Sequence, residues 1–227
     1  MRREKIAARR LRDCHNVTDL RKLAKRNLPW PIFNYMDGGA DDEITLRRNT
    51  AAFDDYELLP TQLSDISNVE LGTELFGKKI DWPVFLAPTG ASRLFHHDKE
   101  PAVARAAKNH GTIYSLSTLG TTTIEDIAAV TDGPKMYQVY VFKDRGITKD
   151  FVERCKASNY DAICLTVDTP VAGNRERDLV TGFGVPPKFK LRSIASYIWH
   201  FPWSIRAIVN GGFDMVNVTS SPGVSSD

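Results

Sequence analysis

Long apolar runs and cysteines are scarce in this sequence. No stretch of about 18 consecutive apolar residues occurs, which excludes an ordinary membrane-spanning helix. The N-terminus carries charged residues but no apolar region of the kind found in secretory signals. The three cysteines, Cys14, Cys155 and Cys164, form an odd set without CxxC spacing. These absences fit a protein of the reducing cytoplasm.

A strong excess of one charge sign is also missing. The 30 basic and 28 acidic residues leave a formal net charge of +2, so no nucleic-acid partner is expected. Neither GxGxxG nor GxxxxGK[ST] occurs, so the Rossmann and P-loop phosphate sites are not indicated. His96, His97 and Asp98 look like a metal cluster, but adjacent histidines without a third spaced ligand are usually solvent-facing. No metal site is therefore predicted.

The chain instead has the composition of a folded domain, with 42% apolar residues in 227. Helix-capping and apolar patterns in its first part predict short helices over residues 19–27, 31–37 and 41–53. A small hairpin at a barrel mouth or edge is predicted within residues 69–80.

A strand and helix alternation begins at residue 82. Apolar runs predict strands over residues 82–88, 112–117, 135–142 and 162–167. Between them, one helix should begin near Pro101 and stop at Gly111, one should begin at a capping box of Thr122 with Glu125, and one should be capped by Thr148. The short links favour parallel strands joined by right-handed crossovers.

Polar residues follow each of these strands. The strand ends carry Pro88, Thr89 and Gly90, then Ser117, then Gln138 and Tyr140, and finally Thr166 and Asp168. The carboxyl ends of parallel strands are where an α/β sheet presents its chemistry. A ring of donors and acceptors at that edge suits an isoalloxazine, so the sequence is interpreted as part of an enzyme.

Several of these residues have simpler interpretations. Asp168 could cap a helix or pair with Arg175 or Arg177, or it could orient a catalytic histidine. Arg175 could hold a substrate carboxylate or lie in solvent. Tyr35 could be a core tyrosine, and the segment from Ala87 to Ala91 could be a simple turn.

The regular alternation ends after Asp178. The segment beyond it interleaves basic and aromatic residues, which are Lys188, Phe189, Lys190, Arg192, Tyr197, Trp199, Phe201, Trp203 and Arg206. Such a mixture is typical of segments at a membrane surface. A buried lid or an oligomer contact could use the same residues.

Five segments in a fixed order carry a family resemblance: Phe33–Glu43, Ala87–Gly90, Leu116–Thr118, Tyr137–Tyr140 and Leu165–Pro170. Together they closely resemble the FMN-dependent α-hydroxy acid dehydrogenase and oxidase family, which includes L-lactate and mandelate dehydrogenases and glycolate oxidases. The resemblance implies the α/β class and a (β/α)8 TIM barrel with FMN at its C-terminal mouth.

The resemblance also implies roles for individual residues. Pro88, Thr89 and Gly90 would lie beside the flavin, and its ring would be hydrogen-bonded by Ser117, Gln138 and Thr166. The substrate carboxylate would be held by Tyr35 and Arg175. Tyr140 would lie against the substrate hydroxyl, and Asp168 would support the histidine base. The implied reaction converts an L-2-hydroxy acid, lactate-like or mandelate-like, to a 2-oxo acid.

Three segments are expected on this basis. Residues 1–57 would be N-terminal helices, residues 58–178 the first half of the barrel with about four strands, and residues 179–227 an inserted segment. That insertion resembles the membrane-contacting insertion of bacterial relatives. A membrane contact through residues 186–217, a peripheral position on the inner face of the cytoplasmic membrane, and a quinone or respiratory-chain acceptor are expected.

Two departures from the family pattern stand out. Gly90 replaces a common alanine and Leu119 replaces the tryptophan of glycolate oxidases, which leaves an oxygen-dependent oxidase as an alternative. The His-Gly-Gly-Arg type motif that provides the base does not occur in these 227 residues. We therefore expect the N-terminal half of an enzyme, inactive by itself and homo-oligomeric when complete. A non-catalytic remnant that binds a membrane or a partner is the second alternative.

Overall fold

The computed structural model describes residues 11–168, 171–184, 186–209 and 214–220. Thr169 and Pro170 of the last family motif lie outside this part of the chain, as do residues 210–213 of the predicted membrane segment. The residues group into two compact units. The first consists of residues 1–59 and 172–211, and the second consists of residues 60–171 and 212–227.

The elements are named in chain order. The helices are α1 (Val17–Asn27), α2 (Trp30–Asp37), α3 (Ile44–Ala51), α4 (Ser92–Phe95), α5 (Lys99–Asn109), α6 (Ile124–Val130), α7 (Arg145–Ala157), α8 (Glu176–Thr181), α9 (Leu191–Trp199), α10 (Phe201–Val209) and α11 (Val216–Thr219). A 3-10 turn at Ala52–Asp55 follows α3. The strands are β1 (Thr73–Leu75), β2 (Lys78–Ile80), β3 (Tyr114–Ser117), β4 (Lys135–Val139) and β5 (Ala162–Leu165).

The second unit is built on a three-stranded parallel sheet in the order β3-β4-β5. Its register pairs Ser117 with Gln138 and Gln138 with Cys164, so the strands end at nearly the same level. The predicted parallel arrangement is confirmed for these strands. It follows from the helices α6 and α7, which return the chain to the same end of the sheet.

The strand predicted over residues 82–88 is much shorter than expected. It is reduced to one parallel bridge between Leu86 and Tyr114. Pro83 and Pro88 have no backbone N–H to donate to a ladder, and Val84 N donates to Trp82 O in a local turn. The chain therefore touches the β3 edge at a single point.

Helices cover one face of this sheet. The apolar core between them contains Leu116, Tyr137 and Val139 from the strands and Ile124, Ile127 and Phe151 from the helices. Tyr137 and Phe151 meet edge to face, with ring centroids 5.6 Å apart. The helix α5 ends as predicted at Gly111, which adopts a left-handed backbone with φ +59°.

The predicted hairpin is present as antiparallel β1 and β2. Its turn residues Phe76 and Gly77 both have positive φ, as a two-residue hairpin turn requires. The hairpin, predicted at a barrel mouth or edge, packs at the end of the sheet where the strands begin. There, Ile80 contacts Ile113 and Met136, which lie where the strands begin.

Two predicted helix caps are wrong. Thr123, not Thr122, caps α6 and accepts from Asp126 N at 3.0 Å. Thr122 instead donates its hydroxyl to the buried carboxylate of Glu100 at 2.7 Å. Asp144 caps α7, which places Thr148 inside the helix. A distant residue, Glu100, binds Thr122, whereas Asp144 caps α7 from a position before Thr148.

The first unit combines α1, α2 and α3 with α8, α9 and α10. Its apolar core is small and includes Leu28, Ile32 and Phe33. The predicted helices of the N-terminal region are confirmed to within a few residues at their ends. The first unit thus contains both the N-terminal helices and much of the predicted insertion. The three-segment division of the whole protein stays a prediction.

Across the part of the chain that the structure describes, no helix has the length and apolar character needed to cross a bilayer.

Asn217 of α11 is fully buried and joins three segments of the second unit. Its Oδ1 accepts from Ile124 N at 3.0 Å, and its Nδ2 donates to Thr122 O at 3.0 Å. Arg154 Nη2 also reaches Oδ1 at 3.3 Å. This amide therefore satisfies backbone groups where α6 begins.

We expect Asn217→Ala to lower the free energy of unfolding by about 1–3 kcal/mol, because the backbone groups of Ile124 and Thr122 would remain buried without partners. Chemical denaturation of the chain, which unfolds the second unit, measures the change in the free energy of unfolding. Exposed Asn68 of the same unit is the control, and Asn68→Ala should change stability by less than about 0.5 kcal/mol. Equal stabilities for the two variants would contradict the bridging role.

A network of ion pairs holds the first unit together. Asp37 at the end of α2 accepts from Arg21 Nε at 2.5 Å and from Arg177 Nη1 at 3.0 Å. Arg177 also pairs with Glu43. Hydrogen bonds from Arg21 and Arg177 hold the pKa of Asp37 below its ordinary value. Hydrogen bonds from Gly39 N and then from Arg177 lower the pKa of Glu43.

We expect Arg177→Gln to raise the pKa values of Asp37 and Glu43 toward their ordinary values of 3.8 and 4.5. An acid with a lowered pKa in the folded chain stabilises the fold above its unfolded pKa, and this stabilisation is lost as the pH falls through the folded pKa. The variant should therefore melt below the wild type at pH 7, and the difference should shrink in acid.

Thermal melts of both proteins between neutral and acidic pH measure this difference. Arg48→Gln, at an exposed arginine on α3, is the matched control and should leave the melting temperature nearly unchanged across the range. A difference that is constant with pH would rule out the two carboxylates as its source.

Candidate active site

Three polar side chains meet at the carboxyl ends of β3, β4 and β5. Ser117 Oγ donates to Gln138 Oε1 at 3.0 Å, and Gln138 Nε2 donates to Thr166 Oγ1 at 2.6 Å. Ser117 and Gln138 are buried, whereas Thr166 is partly exposed. The parallel register pairs Ser117 with Gln138, and Thr166 lies one residue beyond the end of β5, so the three side chains reach the same edge of the sheet. They form a continuous hydrogen-bonded row across three strands.

Tyr140 lies just beyond this row. Its backbone N–H donates to Thr118 Oγ1 at 3.2 Å, and Thr118 Oγ1 donates to Gln138 O at 2.6 Å. Tyr140 as a whole residue is partly exposed. Tyr140 is thus attached to the same edge of the sheet as Gln138.

The segment from Pro88 to Gly90 approaches the loop after β3. Ala91 N donates to Leu119 O at 2.9 Å, which joins the two loops directly. A Cβ atom added to Gly90 would lie 2.9 Å from Leu119 Cβ, so this close approach requires glycine unless the loop moves. Thr89 is exposed, and Pro88 and Gly90 are partly exposed. These atoms border the same end of the sheet as Ser117.

Asp168 follows β5 and is exposed. It lies two residues beyond Thr166 on the same chain segment, at the carboxyl end of the sheet. Its side chain therefore leaves the sheet at the edge where Gln138 and Tyr140 are located.

Tyr35 and Arg175 belong to the first unit, where they contact each other. The Arg175 guanidinium lies 5.1 Å from the centre of the Tyr35 ring and donates to the Tyr35 carbonyl. Arg175 Nε also donates to Asp178 Oδ2 at 2.6 Å. The guanidinium therefore already holds a carboxylate, which is the type of ligand predicted for it.

The predicted residues therefore fall into two groups. The residues proposed for the cofactor, with Tyr140 and Asp168, belong to the second unit. The residues proposed for the substrate carboxylate, Tyr35 and Arg175, belong to the first.

Sequence reasoning did not single out Glu100. Its carboxylate is fully buried and accepts from Thr121 N at 2.8 Å and from the hydroxyls of Thr121 and Thr122. It thereby holds the loop that begins at Ser117. A glutamate in the first turn of a helix is common, so no local signal distinguishes it.

Two other groups could in principle react or bind a metal, a thiol and a pair of imidazoles, and they differ in solvent exposure. Cys155 is buried in the core, and this burial raises the pKa of its thiol to about 12, so the thiol is unreactive at neutral pH. The imidazoles of His96 and His97 are exposed and close to Asp98, with ligand atoms within 4.8 Å of one another.

The end of the sheet fits one edge of a flavin ring. The row offers the Ser117 hydroxyl, the Gln138 amide and the Thr166 hydroxyl, which are the donor and acceptor types that an isoalloxazine edge requires. Gly90 lets its loop approach Leu119 and Ser117 closely at this end of the sheet. These observations agree with the chemistry expected for FMN.

Comparison with known proteins gives a consistent result. The profile of the FMN-dependent dehydrogenase family matches residues 24–225. A Mycobacterium tuberculosis protein with the provisional name L-lactate dehydrogenase is 42% identical over 196 residues, which are 86% of this chain and 47% of the relative. Glycolate oxidase 5 of Oryza sativa subsp. japonica is 39% identical over 178 residues, which are 78% of this chain and 48% of the relative.

Solved structures agree. The monotopic membrane protein (S)-mandelate dehydrogenase superposes with a TM-score of 0.86 at 33% identity, over 94% of this chain and 56% of that structure. A soluble mutant of the membrane-associated (S)-mandelate dehydrogenase from Pseudomonas putida gives a TM-score of 0.72 at 36% identity, over 79% and 51% of the two chains.

The chain spans about half the length of the curated relatives that it matches. The parallel strands of the second unit are accordingly part of a (β/α)8 barrel, the predicted fold class. The match to the family profile extends over most of the sequence and includes the residues at the strand ends. This chain belongs to the FMN-dependent dehydrogenase family, whose members act on α-hydroxy acids.

Proposed function

We propose that the whole protein oxidises an L-2-hydroxy acid to a 2-oxo acid with FMN as cofactor. The main support is the row of hydrogen bonds that joins Ser117, Gln138 and Thr166 across three strand ends. An enzyme that binds a flat polar ring edge needs such a preformed row. The lactate, glycolate and mandelate enzymes named among the relatives give the substrate class.

In this proposal the residues of the second unit hold and serve the cofactor. Pro88, Thr89 and Gly90 would contact FMN through their backbone, and the row from Ser117 to Thr166 would hydrogen-bond its edge. FMN would supply the acceptor for the electron pair of the substrate. Tyr140 would contact the substrate hydroxyl, and Asp168 would orient the base that removes its proton.

The residues of the first unit would bind the substrate. Arg175 and Tyr35 would hold its carboxylate, with the guanidinium exchanging Asp178 for the substrate. The proposal covers both lactate-like and mandelate-like acids as substrates. We propose an electron acceptor of the quinone or respiratory-chain type, and a homo-oligomer for the whole protein.

An oxygen-dependent oxidase is the second candidate, favoured by the relatives named glycolate oxidase. Comparing product formation with and without oxygen, in the presence of a soluble quinone, decides between the two acceptors.

We expect Asp168→Asn in the whole protein to slow flavin reduction by about a hundredfold while FMN stays bound, because the base would lose its negative partner. Anaerobic stopped-flow mixing with L-lactate or (S)-mandelate measures the bleaching of the flavin. Asp132→Asn, at an exposed aspartate that precedes β4, is the control and should reduce normally. An unchanged rate for Asp168→Asn would remove the proposed role, and absence of flavin reduction in the wild type would count against the function.

A peripheral membrane contact is also proposed, on the geometry of α9. The polar side of this helix faces the protein: Ser193 Oγ donates to Thr181 O at 2.6 Å, Ser196 Oγ accepts from Trp30 N at 2.8 Å, and Arg192 lies 4.2 Å from the Trp30 ring centre. The apolar side points outward instead. This reverses the usual amphipathic arrangement of a helix on a soluble domain.

The exposed apolar side chains of α9 and α10 are large. They include Leu191, Ile198, Trp199, Phe201 and Ile208. Trp199 has 83% of its surface exposed, and Leu191 has 89%. Together with Lys188, Lys190 and Arg206 they support insertion of residues 186–217 into the headgroup layer of an anionic membrane. Residues 210–213 of that range lie outside the described part. We propose a peripheral position on the inner face of the cytoplasmic membrane.

We expect Trp199→Glu to weaken binding to phosphatidylglycerol vesicles by about tenfold or more, because an aromatic side chain that inserts into the headgroup layer would be replaced by a charge. Co-sedimentation with vesicles measures the bound fraction. Val17→Glu, at an exposed valine on α1, is the control and should bind as the wild type does. Equal binding of all three proteins would exclude α9 as the contact.

A further inference from the structure

Thr118 binds the neighbouring strand at the carboxyl end of the sheet, and its own side chain is fully buried. Its Oγ1 donates to Gln138 O at 2.6 Å and accepts from Tyr140 N at 3.2 Å. Its backbone N–H donates to Gln138 Oε1 at 3.1 Å. One residue thus contacts both the backbone and the side chain of the neighbouring strand.

The hydroxyl of Thr118 stands where the ladder between β3 and β4 stops. The last paired residues are Ser117 and Gln138. Beyond them the chain of β3 turns away, since Gly120 N bonds back to Ser117 O at 2.9 Å. Among the described residues, no strand continues on that side to bind Gln138 O and Tyr140 N. The Thr118 hydroxyl supplies both the donor and the acceptor that a further strand residue would have supplied.

The backbone N–H of Thr118 also determines which way the Gln138 amide points. An N–H can only donate, so the amide atom facing it must be the oxygen. Ser117 Oγ donates to the same oxygen at 3.0 Å. The amide nitrogen of Gln138 is thereby directed to Thr166 Oγ1 at 2.6 Å. The row of polar groups has a defined direction before any ligand is present.

We propose that Thr118 is a positioning residue of the FMN site, which fixes the backbone of Tyr140 through its hydroxyl and the amide of Gln138 through its N–H. This inference rests on the proposed function for its consequence, because Gln138 and Tyr140 are the residues assigned there to flavin and substrate. Thr118 acts through these two residues.

The test replaces the hydroxyl while keeping the shape of the side chain. Thr118→Val removes both hydroxyl hydrogen bonds, and Thr118→Ser keeps them. Thr148 provides a matched control in α7, because its buried Oγ1 has no hydrogen-bond partner among the described residues. Thr148→Val therefore removes a buried hydroxyl without breaking a contact.

Two measurements on the whole protein separate positioning from general stability. Amide hydrogen exchange by NMR reports on the Tyr140 N–H, and titration with FMN followed by fluorescence reports on the cofactor. Thr118→Val should speed exchange at Tyr140 by about tenfold or more and weaken FMN binding by about tenfold, the loss expected for one hydrogen bond. Thr118→Ser and Thr148→Val should match the wild type in both.

The outcomes distinguish this inference from the function on which it rests. Equal Tyr140 exchange in Thr118→Val and wild type would overturn the positioning role, whatever happens to FMN. Exchange that is faster across the whole sheet, or equally fast in Thr148→Val, would also overturn it, because that would be a loss of stability. If the whole wild-type protein fails to bind FMN, the proposed function fails, while the Tyr140 exchange still decides the role of Thr118.

Discussion

The amide of Gln138 is the interaction on which the candidate site depends. It receives hydrogen bonds on one side from β3 and donates on the other side to the residue after β5. A primary amide is the side chain that can accept at one end and donate at the other, so it can join two neighbouring strands at once. Because the Gln138 side chain is buried and its amide bonds to both neighbouring strands, the three strand ends are held in one arrangement. Glu100 adds to this by holding the loop after β3 from the opposite side.

The first unit is held together differently. Its small apolar core is supplemented by charges, with Asp37 and Glu43 paired to Arg177 and with Asp41 N bonded to Asn174 O. These contacts join the Phe33–Glu43 motif to residues 174–177, although more than a hundred residues separate the two segments. The same unit turns the polar side of α9 inward, so its apolar side is available for a membrane. Partly buried ion pairs and outward apolar side chains occur together in this arrangement of helices.

Much of the fold was predictable from local pattern. The parallel order of β3, β4 and β5, the hairpin and the end of α5 at Gly111 all follow from apolar spacing and from glycine conformations. The helix caps at Thr122 and Thr148 were not, because more than one residue near each helix start can cap it. Glu100 takes Thr122, and Asp144 begins α7 earlier than Thr148 could. The strand expected at residues 82–88 was also shorter, because its prolines remove ladder donors.

The sequence by itself determined which chemical groups stand at the strand ends, since the order of strands and polar residues places Ser117, Gln138 and Thr166 at one edge of any parallel sheet. The family motifs determined the kind of cofactor to expect. Only the tertiary structure decided how those groups are connected, which way the Gln138 amide points and that Arg175 holds Asp178. The physical reason is that hydrogen-bond direction depends on which donors and acceptors face one another across the chain, and no local pattern contains that information.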